Sequence, residues 1–131
     1  MGDESTVTAQ LRDLCGVRSG DKGDISDLTL FADDEATYQF LCATVTTEKV
    51  KAHFGSVALG DVVRYEAPNV WALKFVLDRA LGGGGPLSLR SDNLGKTLGG
   101  ALLRLRVDAP SALVAASKRA GRRAPLRLGV A

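Results

Sequence analysis

Apolar and polar positions along the chain predict alternating strands and helices. The stretch "TVTAQLRDLCGV" alternates loosely and ends in Leu14, Cys15 and Val17, which predicts a first strand. "DLTLFA" sets Leu28, Leu30 and Ala32 on one face and predicts a second. Between them runs "RSGDKGDISDL", Arg18 to Leu28, a mixed-charge stretch with two glycines. It predicts a hairpin connection through Ser19–Asp24 with the glycines as turn residues. "DDEATYQFLCATV" predicts a helix capped by Asp33 or Asp34, and "TTEKVKAHFG" a shorter one starting at Thr46 or Thr47 and stopping at Gly55. "GDVVRYEAPN" alternates and breaks at Pro68, so a third strand is predicted over Val62 to Ala67.

The spacing of Val70, Leu73, Val76, Leu77 and Leu81 predicts a helix from Asn69, its cap, to the glycines 82–85. Trp71 and Phe75, four residues apart in it, are expected to cover the sheet. "SDNLGK" reads as a turn that joins Leu87–Arg90 to Thr97–Val107 in a hairpin, with a short helix over Thr97–Leu102 as the alternative. Beyond residue 108 the chain is Ala-rich and basic and is expected to be a flexible tail, with one helical turn or two. Helices interleaved with short strands and hairpins imply an α+β two-layer sandwich. A mainly antiparallel sheet would carry helices on one face, in a ferredoxin-like arrangement.

Composition narrows the function. At 131 residues the chain is long enough for one core without staples. Residues 1–108 hold 12 Lys and Arg against 15 Asp and Glu, whereas residues 109–131 hold 5 basic and no acidic residues. The folded part is therefore mildly acidic, which argues against a nucleic-acid surface. Two cysteines without a CxxC pair, and a single histidine, cannot supply the four ligands of a structural zinc site. No metal or cofactor is expected. "MGDESTVTAQ" lacks a basic start followed by an apolar stretch, and no run is long enough to span a membrane. A cytoplasmic protein is the expectation.

Candidate chemistry is sparse. Arg18, Ser19 and Lys22 offer donors to an anion, but Asp21, Asp24 and Asp27 can neutralise the two cations locally. The stretch matches neither a phosphate loop nor a calcium loop, so composition favours a structural hairpin. His53 alone titrates near neutrality and is the obvious acid/base candidate. Beside Phe54 at a helix end, packing plus a backbone hydrogen bond explains it as well. In "RYEAPN", Tyr65 and Glu66 point to opposite faces of a strand.

The ordered set "RSGDKGD", "VKAHF", "YEAPNVWALKFVL", "LGGG", "SLRSDNLGK" and "ALLRLRV" resembles the AtuA-like ferredoxin-fold domain family over roughly Leu11 to Val107. That domain ends the acyclic terpene utilisation protein AtuA and also occurs as a small stand-alone protein. The resemblance implies a single domain over residues 1–108. It also implies a context of branched terpenoid acids degraded through CoA thioesters. It carries over at Arg18, Ser19, Gly20, Asp21, Lys22 and Gly23, at His53 and Phe54, at Tyr65, Glu66 and Asn69, and at Ser88, Leu89 and Arg90. Asp27 and Lys74 stand where the family usually has Asn.

Three functional expectations follow. The first is a small subunit of a two-component AtuA-like enzyme, docked on a separately encoded large subunit, acting on branched acyl thioesters by hydratase- or dehydratase-type chemistry. Its ligand-binding residues would be Arg18, Ser19, Lys22, Asp24, Tyr65, Glu66, Asn69 and Arg90. The second is an autonomous enzyme with His53 or Asp21 as acid/base. The third is a homo-oligomeric binding module without catalysis.

Overall fold

The computed structural model describes residues 5–22, 25–55, 60–78 and 98–120. Two antiparallel sheets organise them. Strands β1 (Thr6–Gln10), β2 (Cys15–Lys22) and β3 (Ile25–Ala32) precede helices α1 (Glu35–Thr44) and α2 (Thr47–Phe54). Strands β4 (Val62–Ala67) and β5 (Ala72–Leu77) follow, then helix α3 (residues 98–103), β6 (Arg106–Pro110) and α4 (Ser111–Ala116). The larger sheet has the order β2-β3-β5-β4, and β1 pairs with β6 in a second, two-stranded one.

β3 and β4 run the same way, joined through α1 and α2, with β5 inserted between them and antiparallel to both. This split βαβ unit is the ferredoxin-like signature, with β2 filling the fourth position beside β3. Leu28 and Leu30 of β3, and Leu73, Phe75 and Leu77 of β5, are fully buried on one face. They meet Tyr38, Leu41 and Val45 of the α1 segment, Val50 and Phe54 of α2, and Leu98 and Leu102 of α3 in one core. Each large side chain buried there contributes about 1.5–3 kcal/mol.

Both helix starts follow the capping rules. Asp34 accepts the Thr37 amide at 2.8 Å, and Thr46 accepts the Lys49 amide at 3.1 Å. α2 stops at Gly55, whose φ of 57° suits glycine.

Other expectations are corrected. The predicted first strand is two strands in different sheets, divided by a 3-10 turn at Leu11–Asp13. The helix predicted from Asn69 is the central strand β5. Leu73, Phe75 and Leu77, two apart, are fully buried while Lys74 is exposed, and hydrogen bonding to β3 and β4 on both sides outweighs a helical spacing. Asn69 accordingly caps nothing and lies in the 3-10 turn Pro68–Val70. Trp71 takes a left-handed conformation at the corner into β5, which parts it from Phe75. The predicted hairpin strand over Thr97–Val107 divides into α3 and β6, because Leu98 and Leu102 have helical spacing and both face the core. Residues 79–81 and Leu87–Arg90 lie outside the described residues.

The basic C-terminal segment starts as structure. Ala109 and Pro110 complete β6, and Leu113 and Val114 of α4 pack on the core. Ser117 Oγ donates to the Asp13 carbonyl at 2.5 Å, and Arg119 grips both Asp33 carboxylate oxygens at 2.8 and 3.0 Å. Residues 121–131 lie outside the described residues.

Candidate functional site

"RSGDKGDISDL" is mostly sheet. β2 and β3 stay paired out to Lys22 and Ile25, so only Gly23 and Asp24 separate the two strands in sequence, and both lie outside the described residues. Gly20 is a strand residue opposite Asp27, not a turn residue. Its value is space: a Cβ there would stand 3.2 and 3.3 Å from the Asp27 carboxylate oxygens, which lie over β2.

The register sorts the candidate residues onto two faces. On the face away from the helices, Arg18, Thr29, Lys74 and Tyr65 stand opposite one another in one row across all four strands. At about 4.8 Å per strand spacing the row is about 14 Å long. All four side chains are hydrogen-bond donors. The Arg18 guanidinium lies 5.9 Å from the centre of the Phe31 ring, a cation–π distance that restrains it. Tyr65 is 56% exposed. One side of the row is bordered by Gly20, Asp27, Val76 and Val63; the other by Gly16, Phe31, Ala72 and Ala67. The Arg119 guanidinium, held by Asp33, covers Gly16, since a Cβ there would stand 3.2 Å from Arg119 Nη1.

Other candidates lie elsewhere. Ser19 points to the helix side, where its Oγ would stand 3.8 Å from a Cβ at Gly99. Asp21 and Lys22 hold their register positions opposite Ser26 and Ile25. Glu66, also on the helix side, pairs with Arg64 at 2.6 Å. His53 Nε2 is 2.7 Å from the Ala101 carbonyl oxygen in α3, and its ring meets Phe54 edge-on at 5.3 Å. It therefore belongs to the helix layer, across the sheet from the row. Arg90, like Asp24, lies outside the described residues. Among the described residues, surface grooves of about 480 to 560 Å³ open beside β1, beside Asp33 and Arg119, and beside α2, and no described candidate residue lines these three.

Cysteine chemistry finds no support. Cys15 is buried, its thiol donates to the Leu11 carbonyl at 3.4 Å, and burial pushes its pKa up to about 12. No group of three or more His, Cys, Asp or Glu among the described residues is arranged to hold a metal ion.

Thr29, Lys74 and Trp71 are the residues that composition did not single out as ligand-side groups. The signal for the first two was the period of two in "DLTLFA" and "ALKFVL". Trp71 is marked by its backbone: with φ 54° it is the only described non-glycine residue at positive φ. Such a conformation costs about 1–2 kcal/mol for an L-residue.

Comparison with protein families gives a match to the AtuA ferredoxin-like domain over residues 9–108. The chain belongs to that family. No curated protein and no solved structure matches it. The match to the AtuA ferredoxin-like domain covers the whole four-stranded sheet and helices α1, α2 and α3, so the row across the sheet lies wholly inside the family domain. Asp27 and Lys74 fall on the same open face on neighbouring strands. No helix among the described residues is long and apolar enough to cross a membrane.

Proposed function

We propose that this chain is the small subunit of a two-component AtuA-like enzyme and that the sheet face away from its helices is its working surface. It would act in the cytoplasm on branched or terpenoid acyl thioesters, in hydratase- or dehydratase-type chemistry completed by a separately encoded large chain. The observation that carries this reading is the open face itself. It combines the Arg18–Thr29–Lys74–Tyr65 row with exposed Val63, and exposed Val70 and Trp71 stand at the turn that leads into β5. Exposed apolar side chains around a polar row are what a protein partner covers.

His53 and Asp21 are not needed as catalytic groups in this reading. His53 already has a hydrogen-bond partner in the helix layer. The chemistry would come from the large chain, with Arg18, Lys74 and Tyr65 holding the substrate's polar end. Co-expression with a large AtuA-like chain tests it. An untagged large chain should co-purify with this one, and Tyr65→Asp should abolish the capture. A partner-free, monodisperse small chain in the presence of the large one would refute it.

A further inference from the structure

β4 ends the larger sheet, and among the described residues no strand pairs with its outer side. The ladder shows which backbone groups face outward there. The Asp78 amide donates to the Asp61 carbonyl at 3.0 Å, and the Ala32 amide to the Trp71 carbonyl at 3.0 Å. Even-numbered residues of β5 therefore bond to β4 and odd-numbered ones to β3. Val63, Tyr65 and Ala67 exchange hydrogen bonds with β5, while the amides and carbonyls of Val62, Arg64 and Glu66 point away from the sheet. Such an edge is ready to pair with another strand. Val62, Val63 and Tyr65 also favour strands, whereas β2, at the other end of the sheet, carries Gly16 and Gly20.

The strand that fits this edge best is β4 of a second copy. A two-fold axis through the edge makes the two strands antiparallel and brings the same patch of each chain together. Centring the pair on Arg64 matches Val62–Glu66 with itself, and centring it on Tyr65 matches Val63–Ala67; any other centre shortens the ladder. The Arg64 centre sets two guanidinium groups opposite each other, a like-charge pair. The Tyr65 centre instead sets Arg64 opposite Glu66 twice, and both residues are among those whose backbones point outward. Glu66 uses Oε2 for its own Arg64 and is half exposed, which leaves Oε1 to accept from the Arg64 of the second copy. The same register carries the second copy's Pro68–Val70 turn, with Val70 59% exposed, toward the start of β4. There a groove of about 560 Å³ opens between Asp61–Val63 and α2.

We propose that two copies of this chain join through β4, antiparallel and centred on Tyr65, so that the two four-stranded sheets become one. The Arg18–Thr29–Lys74–Tyr65 rows then meet end to end at the two-fold axis, and the open face is shared by both copies. The dimer is a property of this chain alone and requires no large chain. Pairing along one short strand makes a small interface, so the dimer exchanges with monomer.

Sedimentation of the full chain, with no other protein present, should show a monomer–dimer equilibrium between about 2 and about 200 μM. Glu66→Lys sets like charges opposite each other twice and should raise the dissociation constant about tenfold or more. Cysteines read the register. Residues 63, 65 and 67 would lie in non-hydrogen-bonded pairs across the joint, with Cα atoms about 4.5 Å apart and within disulfide reach. Under air oxidation Tyr65→Cys should give a covalent dimer, and so should Val63→Cys mixed with Ala67→Cys. Val63→Cys alone and the parent should not. All four positions are exposed, and circular dichroism verifies that the variants fold. A monomer at every concentration would overturn the dimer. A dimer that Glu66→Lys leaves unchanged would overturn its placement on β4. Cross-linking of Val63→Cys with Tyr65→Cys, in place of Tyr65→Cys with itself, marks the Arg64-centred pairing and would overturn the register.

Discussion

Arg64 decides whether Glu66 belongs to the fold or to a ligand site. From edge strand β4 it reaches the helix side, and its Nη1 donates to the Cys42 carbonyl at 2.8 Å and to the Val45 carbonyl at 3.0 Å. Those carbonyls sit at the end of α1, where helical partners run out. Its Nη2 donates to Glu66 at 2.6 Å. Arg64→Met keeps the stem and deletes the guanidinium. Hydrogen bonds from a charged donor are worth about 1.5–3 kcal/mol, and a cation at a helix C-terminus adds about 0.3–1 kcal/mol. The Glu66 pair adds less than about 1 kcal/mol, because that carboxylate is half exposed and screened. With the two carbonyl bonds sharing one nitrogen, the expected loss is about 2–3 kcal/mol. Urea denaturation measures it, and the melting temperature should fall by on the order of 10 °C. Glu66→Gln alone should cost less than about 1 kcal/mol, and Arg64→Lys should fall between the two Arg64 extremes. An Arg64→Met variant within about 0.5 kcal/mol of the parent would refute the capping role. So would a Glu66→Gln loss as large as that of Arg64→Met.

At Trp71 the usual order of small residues should reverse: Trp71→Gly should be more stable than Trp71→Ala by about 1 kcal/mol in urea, since glycine accepts φ 54° and alanine does not. Equal stability of the two would contradict the left-handed corner. Cys15 should resist a thiol reagent in the native protein and react once urea unfolds it, because the burial that raises its pKa to about 12 also shields the sulfur. The folded state then holds the thiol proton more tightly than the unfolded chain does. The resulting stability is fully present below the ordinary thiol pKa of about 9 and is lost as pH rises toward 12. Urea midpoints at about pH 8 and about pH 10 should fall more steeply in the parent than in Cys15→Ala; parallel slopes would show that the thiol is not shielded.

Where the sequence was readable, one physical signal was unopposed. Asp34 and Thr46 precede helices that nothing competes with, and Leu28, Leu30 and Ala32 alternate without a rival period. In "NVWALKFVL" two periods coexist, and the choice depended on β3 and β4, which lie far away in the chain and supply the hydrogen bonds of β5. "TLGGALL" took the alternative: the turn-like "SDNLGK" before it favoured a hairpin strand, while Leu98 and Leu102 needed the short helix to reach the core. The candidate site was legible at Arg18 and Tyr65 through the family resemblance. Their alignment with Thr29 and Lys74 was not, because a cross-strand row is a matter of register, and register appears only when the strands are paired. Gly20 shows the same limit: its role depends on Asp27 opposite.

The account stands on the open sheet face and not on the helix layer that holds His53. Co-purification of an untagged large AtuA-like chain, quantified for the parent, Lys74→Glu, Tyr65→Asp and His53→Ala, separates the two. The account predicts capture at the parent level for His53→Ala and its loss for Lys74→Glu and Tyr65→Asp. Capture lost only in His53→Ala, with both face variants behaving as the parent, would contradict it.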